Sequence, residues 1–199
     1  ASYLGATVTN IAKGSSCVRA NASDGVYTGF MFSHFIRSIT RMVDECDEIA
    51  ENWDSIKTNI SLAPETLSES NVATMKSHSF ENLILPYLDG TNTTPDLYVI
   101  DYGHNDVRPK GIDGKSDLWI KPTLANIQNG LLAEDTYMTA NNYANLKLAF
   151  DSDLSGITDL SAFAASVNRN CLQGALNFLI TVILSRKPYA RIVIVSDYN

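Results

Sequence analysis

Two short runs of uninterrupted apolar residues do most to constrain the fold of this 199-residue chain: Leu97-Tyr98-Val99-Ile100 and, after Arg191, Ile192-Val193-Ile194-Val195. A continuous apolar run of this length suits a strand covered on both faces. Gly5 to Ile11 (GATVTNI) reads as a third strand. Between the runs the period changes. Within Met31 to Trp53, Phe32, Phe35, Ile36, Ile39, Met42 and Val43 recur at steps of three and four, which predicts a helix. Within Leu160 to Arg186 the stripe is Leu172, Ala175, Leu176, Leu179, Ile180 and Ile183, and Pro188 stops it. A further helix is expected within Tyr137 to Phe150, with a break over Asp151 to Gly156. Asp54 to Ser77 reads as mostly loop, and Phe80 to Leu88 as an apolar stretch leading into the Asp89-Gly90 turn. Strands alternating with helices predict an α/β fold with a parallel sheet and helices on both faces. Right-handed crossovers then bring the carboxyl ends of all three strands to one edge.

Composition removes several classes of function. Hydrophobic residues make up 45% and charged residues 19%, ordinary values for a globular domain with a real core. The net charge of −7 argues against a nucleic-acid partner, which needs a basic face. No apolar run reaches the roughly 18 residues required to span a membrane, and Ala1-Ser2-Tyr3-Leu4 runs into strand-like sequence without the pattern of a signal peptide. Cys17, Cys46 and Cys171 lie far apart, so no metal ligand set is expected and buried free thiols are the simplest reading, with one disulfide open. Asn21-Ala22-Ser23, Asn59-Ile60-Ser61 and Asn92-Thr93-Thr94 are glycosylation sequons, meaningful only in a eukaryotic secretory setting.

Chemistry concentrates where the first two strands end. Gly103-His104-Asn105-Asp106 follows Leu97 to Ile100, and offers a proton carrier, an amide donor and a carboxylate at the carboxyl end of a buried strand, where open α/β sheets bind ligands. Gly-x-Asn-Asp is also ordinary turn chemistry. Gly14-Ser15-Ser16 follows Gly5 to Ile11, and its small residues let backbone N–H groups approach a ligand closely; an ordinary strand-to-helix loop is the alternative. Val107 to Pro122 reads as a long surface loop of the kind that is often functional. His34 is expected at a helix surface or core edge, and His78 has no evident partner.

These blocks resemble those of the SGNH (GDSL-type) hydrolases. Asn10 to Ser15 is similar to the family's second block, whose glycine supplies an oxyanion-hole N–H; Gly14 and Ser15 compete for that position. Gly103 to Asp106 resembles the third block, Gly-x-Asn-Asp, whose Asn side chain is another oxyanion donor, here Asn105. The resemblance implies a flavodoxin-like three-layer α/β/α sandwich with a parallel sheet. It further implies an ester hydrolase acting on a small-molecule or carbohydrate ester, in a secreted or periplasmic setting, with no metal or organic cofactor. Gly103, His104, Asp106 and Arg108 become the expected substrate-binding positions. Asp106 would order the turn that presents Asn105, and Arg108 would meet an anionic or sugar substrate or simply be solvated. The family's Gly-Asp-Ser nucleophile block is missing, and no Asp-x-x-His block follows the strand at 191–195. The expectation is therefore one domain over residues 1–199, incomplete at both ends, a middle section of a larger hydrolase.

Within the chain, Ser15 or Ser16, His104 and Asp106 could form a triad only by coincidence, because His104 and Asp106 share one turn. A rival from another class is a non-catalytic carbohydrate-binding or assembly domain on the same fold, with Tyr102, Trp119 and Tyr198 as stacking surfaces. A flavodoxin-like nucleotide binder is disfavoured because neither GxGxxG nor a Walker motif occurs.

Overall fold

The computed structural model describes residues 5–20, 30–101, 157–167, 169 and 172–195. In these residues the chain is mixed α/β, with nine-residue or longer helices at Val43–Glu51, Glu69–His78 and Leu172–Arg186 and two small parallel sheets. In chain order the elements are β1 (Phe30–Met31), α1 (Phe32–Phe35), α2 (Val43–Glu51), α3 (Trp53–Ile56), β2 (Ile60–Ser61), α4 (Glu69–His78) and α5 (Phe80–Leu83). After these come β3 (Leu97–Asp101), α6 (Leu160–Ser166), α7 (Leu172–Arg186) and β4 (Arg191–Val195). Single turns of 3-10 helix cover Lys57–Asn59 and Leu85–Tyr87.

The strands expected at Leu97 and Arg191 both form, and they pair in parallel from Leu97↔Arg191 to Asp101↔Val195. Alternation along the strands then sorts the side chains. Tyr98, Ile100 and Ile192 join the main core, with Phe80, Phe178 and Ile183 among its fully buried members. The opposite face, carrying Leu97, Val99, Val193 and Val195, is exposed: Leu97 is 49% and Val99 61% accessible. A run read as covered on both faces is thus covered on one among the described residues. Helix α7 belongs to the same core. Ala175, Phe178, Leu179, Ile180, Val182 and Ile183 are all buried, which leaves the helix apolar nearly all round, as a central helix should be.

Four local expectations need correction. Gly5 to Ile11 is not a strand: residues 6–13 have no regular structure and Val8 is 70% exposed. Asn10 instead turns its side chain back to accept the Ala12 N–H at 2.9 Å, and an extended segment with no ladder partner gains nothing from β-branched residues. The helix expected over Met31 to Trp53 divides into α1, α2 and α3, because residues between α1 and α2 are drawn into other bonds. Ser38 bridges to Cys17, and the Arg41 carbonyl accepts the Phe80 N–H at 2.9 Å. The apolar spacing is still honoured, since Ile39 and Met42 enter the main core from this non-helical stretch.

The loop expected over Asp54 to Ser77 contains α4. Ser68 caps it, its Oγ accepting the Asn71 N–H at 3.2 Å, and Asn71 Oδ1 accepts the Ser68 N–H at 3.3 Å in return. Leu67 and Val72 stand at the staple positions and both pack against a second core built from Cys17, Phe35, Trp53 and Met75. Lastly, the helix expected over Leu160 to Arg186 breaks into α6 and α7. Arg169, in the break, is buried and points inward. Its Nε donates to the Ala164 carbonyl at 2.8 Å, Nη1 to the Thr40 carbonyl and to Glu45 Oε2 at 3.0 Å, and Nη2 to Glu45 Oε1. A continuous helix could not deliver that guanidinium to α2.

Candidate functional site

The turn Lys13-Gly14-Ser15-Ser16 is held rigidly from behind. Ser16 donates its N–H to the Lys13 carbonyl at 3.2 Å and its Oγ–H to the same oxygen at 2.6 Å. Cys17 donates its N–H to the Arg37 carbonyl at 3.2 Å, and the Cys17 carbonyl accepts from Ile39 N–H at 3.0 Å. The Thr40 hydroxyl donates to the Val18 carbonyl, and Arg41 Nε and Nη2 donate to the Ala20 carbonyl at 3.2 and 2.8 Å. Residues 17–20 are therefore a buried strap laced to residues 37–41, and Lys13 to Ser15 form its exposed head.

The residue types in this turn are reversed from what its geometry favours. A turn closed by a bond from residue i+3 to residue i, with positive φ at i+2, prefers glycine at i+2. Here Ser15 takes that place with φ of +60°, while Gly14 precedes it. A Cβ on Gly14 would meet nothing within 4 Å. Neither packing nor conformation demands glycine there, and serine in the left-handed region carries roughly 1–2 kcal/mol of strain. Among the described residues neither the Gly14 nor the Ser15 N–H finds an acceptor. Two exposed donors on a fixed loop, one beside a residue with no side chain, form a surface that an oxygen atom can approach.

His78, at the end of α4, lies on the same helical face as Met75, one turn on, and Met75 shares the second core with Cys17. Its Nδ1 lies 2.8 Å from the Thr74 carbonyl and 3.1 Å from Ser77 Oγ. A carbonyl can only accept, so Nδ1 carries the hydrogen and Nε2 holds the lone pair in the neutral ring. Burial first, then the positive charges of Arg37 and Lys13, hold the imidazole below its usual value, against the opposing effect of the Thr74 bond. The partner that sequence reading missed is thus the helix's own backbone. His34 is buried within α1, deeper than the core edge expected for it.

The remaining buried polar groups serve the scaffold. Burial pushes the Glu45 carboxyl up, but the Arg169 guanidinium and the Met42 N–H outweigh it and hold the group below the ordinary carboxylate range. Arg41 is lowered by burial; its guanidinium carbon stands 4.5 Å over the Phe35 ring, and Nη1 has no hydrogen-bond partner among the described residues. Cys17 and Cys46 are buried, as expected, and the Cys17 thiol donates to the His34 carbonyl at 3.4 Å. Burial pushes the Cys46 thiol up to about 11, so it is no nucleophile. No cluster of three or more His, Cys, Asp or Glu suited to a metal ion occurs among the described residues.

Of the sequence-derived site residues, Gly14 and Ser15 are therefore placed, exposed and adjacent. Gly103, His104, Asn105, Asp106 and Arg108 lie outside the described residues, as do Tyr102, Trp119, Tyr198, Cys171 and the segments 107–122 and 137–150. Asp101, the last described residue before them, ends β3 beside Val195 of β4. No family model, no curated protein and no solved structure matches the chain.

Proposed function

We propose that this chain carries the oxyanion-stabilising part of an SGNH-type ester hydrolase built on a flavodoxin-like three-layer sandwich. Its substrate would be a small or carbohydrate-borne ester such as an O-acetyl group. The observation that carries the reading is the rigid Gly14–Ser15 turn, whose two N–H groups have no acceptor among the described residues and whose glycine leaves the approach open. Parallel pairing of β3 and β4 sets their carboxyl ends side by side, and Gly103-His104-Asn105-Asp106 follows β3 directly. That edge is where parallel α/β sheets hold ligands.

In the reaction a serine oxygen attacks the ester carbonyl, with a histidine taking the serine proton and later giving it to the leaving alcohol. The carbonyl oxygen gains negative charge as the tetrahedral species forms. The Gly14 or Ser15 N–H and the Asn105 Nδ2–H donate to it, each worth about 3 kcal/mol in the transition state. Donors fixed before the reaction cost no reorganisation during it, and the lacing of residues 17–20 to 37–41 supplies that rigidity.

Hydrolysis of p-nitrophenyl acetate tests the proposal. In the active enzyme, Asn105→Ala should lower kcat by roughly a hundredfold with the fold intact. An unchanged kcat would reduce Asn105 to a turn residue and remove the oxyanion hole. The 199-residue chain, holding no Gly-Asp-Ser, is expected to be inactive by itself. Activity of that chain abolished by Ser15→Ala or Ser16→Ala would instead put the nucleophile inside the turn.

A further inference from the structure

The Lys13–Ser16 turn holds a serine where the backbone favours glycine, and something must keep it there. Ser15 sits at φ of +60°. A residue with a side chain leaves that region for negative φ unless its surroundings over-determine it. The bond that closes the turn, from the Ser16 N–H to the Lys13 carbonyl at 3.2 Å, does not choose between the two. A turn closed in the same way with negative φ at its third residue is the commoner type. The two forms differ by rotation of the central peptide, here the one joining Gly14 to Ser15.

That rotation decides what the turn shows to a ligand. As observed, Gly14 and Ser15 are exposed and their N–H groups have no acceptor among the described residues. Rotating the central peptide would carry the Ser15 N–H to the opposite side and bring the Gly14 carbonyl oxygen round in its place. A donor would become an acceptor, and a carbonyl oxygen repels a developing oxyanion.

Among the described residues, the Ser16 hydroxyl is the only side-chain group that bonds to the backbone of the turn. It donates to the Lys13 carbonyl at 2.6 Å, so that one oxygen takes two donors from one residue. Ser16 is itself 6% exposed and stands where the exposed head joins the strap. Cys17, next in sequence, is fixed by the Arg37 carbonyl at 3.2 Å. The Ser16 proton is committed to a carbonyl, which cannot act as a base, so the hydroxyl is not arranged as a nucleophile.

We propose that Ser16 is the positioning residue of this turn. Its hydroxyl, held on the Lys13 carbonyl, keeps Ser15 at positive φ, and so keeps the N–H donors rather than the Gly14 carbonyl on the ligand side. The hold on the turn is independent of any reaction; its catalytic consequence rests on the hydrolase reading above.

Nuclear magnetic resonance of the 199-residue chain tests the hold on the turn. At positive φ the Ser15 amide and α protons lie close together and give a strong intraresidue nuclear Overhauser effect. Ser16→Ala is expected to weaken that signal by shifting the ratio of the two turn forms about fivefold toward negative φ, the equilibrium effect of one ordinary hydrogen bond. Ser16→Thr keeps the hydroxyl and is expected to keep the signal. An undiminished signal in Ser16→Ala would overturn the proposal. Turnover of p-nitrophenyl acetate by the active enzyme tests the consequence. Ser16→Ala should lower kcat by up to about fivefold with KM unchanged, and Ser16→Thr should retain it. Ser15→Gly added to Ser16→Ala should restore kcat, because glycine takes positive φ without strain. That double variant also serves if Ser16→Ala does not fold. Impairment that persists in it, or its own failure to fold, would assign Ser16 to packing and overturn the proposal. Complete loss of activity without rescue would instead mark Ser16 as the nucleophile and overturn it too. A turn that relaxes in Ser16→Ala, in a protein that hydrolyses no ester in any form, would defeat the hydrolase reading alone.

Discussion

Replacing Arg169 with methionine is expected to destabilise the protein by about 3 kcal/mol, and the figure follows from the groups it abandons. The Thr40 and Ala164 carbonyls lose a buried guanidinium donor, at about 1 kcal/mol each. Glu45 loses its two-pronged partner; its side chain is still 33% exposed, so solvent limits that loss to about 1 kcal/mol rather than the several of a fully buried pair. Methionine keeps the apolar stem near Phe178, over whose ring the guanidinium carbon now stands at 5.3 Å, so no large cavity opens. Urea unfolding followed by far-UV circular dichroism gives the loss directly, and a cycle with Glu45→Gln isolates about 1 kcal/mol of coupling. The carboxylate share depends on pH with a definite sign. The folded Glu45 carboxyl lies below its unfolded value of about 4.3, so its contribution is complete above that pH and disappears as pH falls through the folded value. The gap between the native protein and Arg169→Met should therefore narrow in acid while the carbonyl share persists. A variant within about 0.5 kcal/mol of the native protein, or a gap indifferent to both acid and Glu45→Gln, would refute the account.

Ser68→Ala should cost about 1 kcal/mol and Ser68→Asp almost nothing, since the cap needs only a side-chain oxygen; equal unfolding midpoints for the native protein and the alanine variant would deny the cap a role. On β3, Ile100→Ala should cost about 2–4 kcal/mol and Val99→Lys well under 1, because Ile100 is buried and Val99 lies on the open face. Comparable losses at the two positions would mean that the second face of the sheet is covered after all.

Parts of this structure are written locally, and those were legible. The β-branched runs at Leu97 and Arg191 become strands, and they pair in parallel as their alternation with helices requires. The stripe from Leu172 to Ile183 becomes the central helix, stopped ahead of Pro188. The cap of α4 was equally local. Ser68 stands three residues before Asn71 with Leu67 and Val72 at staple positions, a signal hidden by the polar composition around it.

What the residues alone could not settle is decided by partners distant in sequence. Gly5 to Ile11 has strand-forming residues but no paired neighbour among those described, so it stays irregular. Residues 36–42 carry a helical period but leave the helix, because Cys17 and Phe80 offer backbone bonds that a helix would forgo. Arg169 breaks another helical run to reach Glu45, 124 residues away. At the candidate site, composition marked Gly14 and Ser15. Only the folded chain assigns the positive φ to the serine and laces the residues that follow it to residues 37–41. Periodicity reports which face of a segment wants burial, whereas backbone pairing and charge are satisfied by whatever the tertiary structure brings within reach.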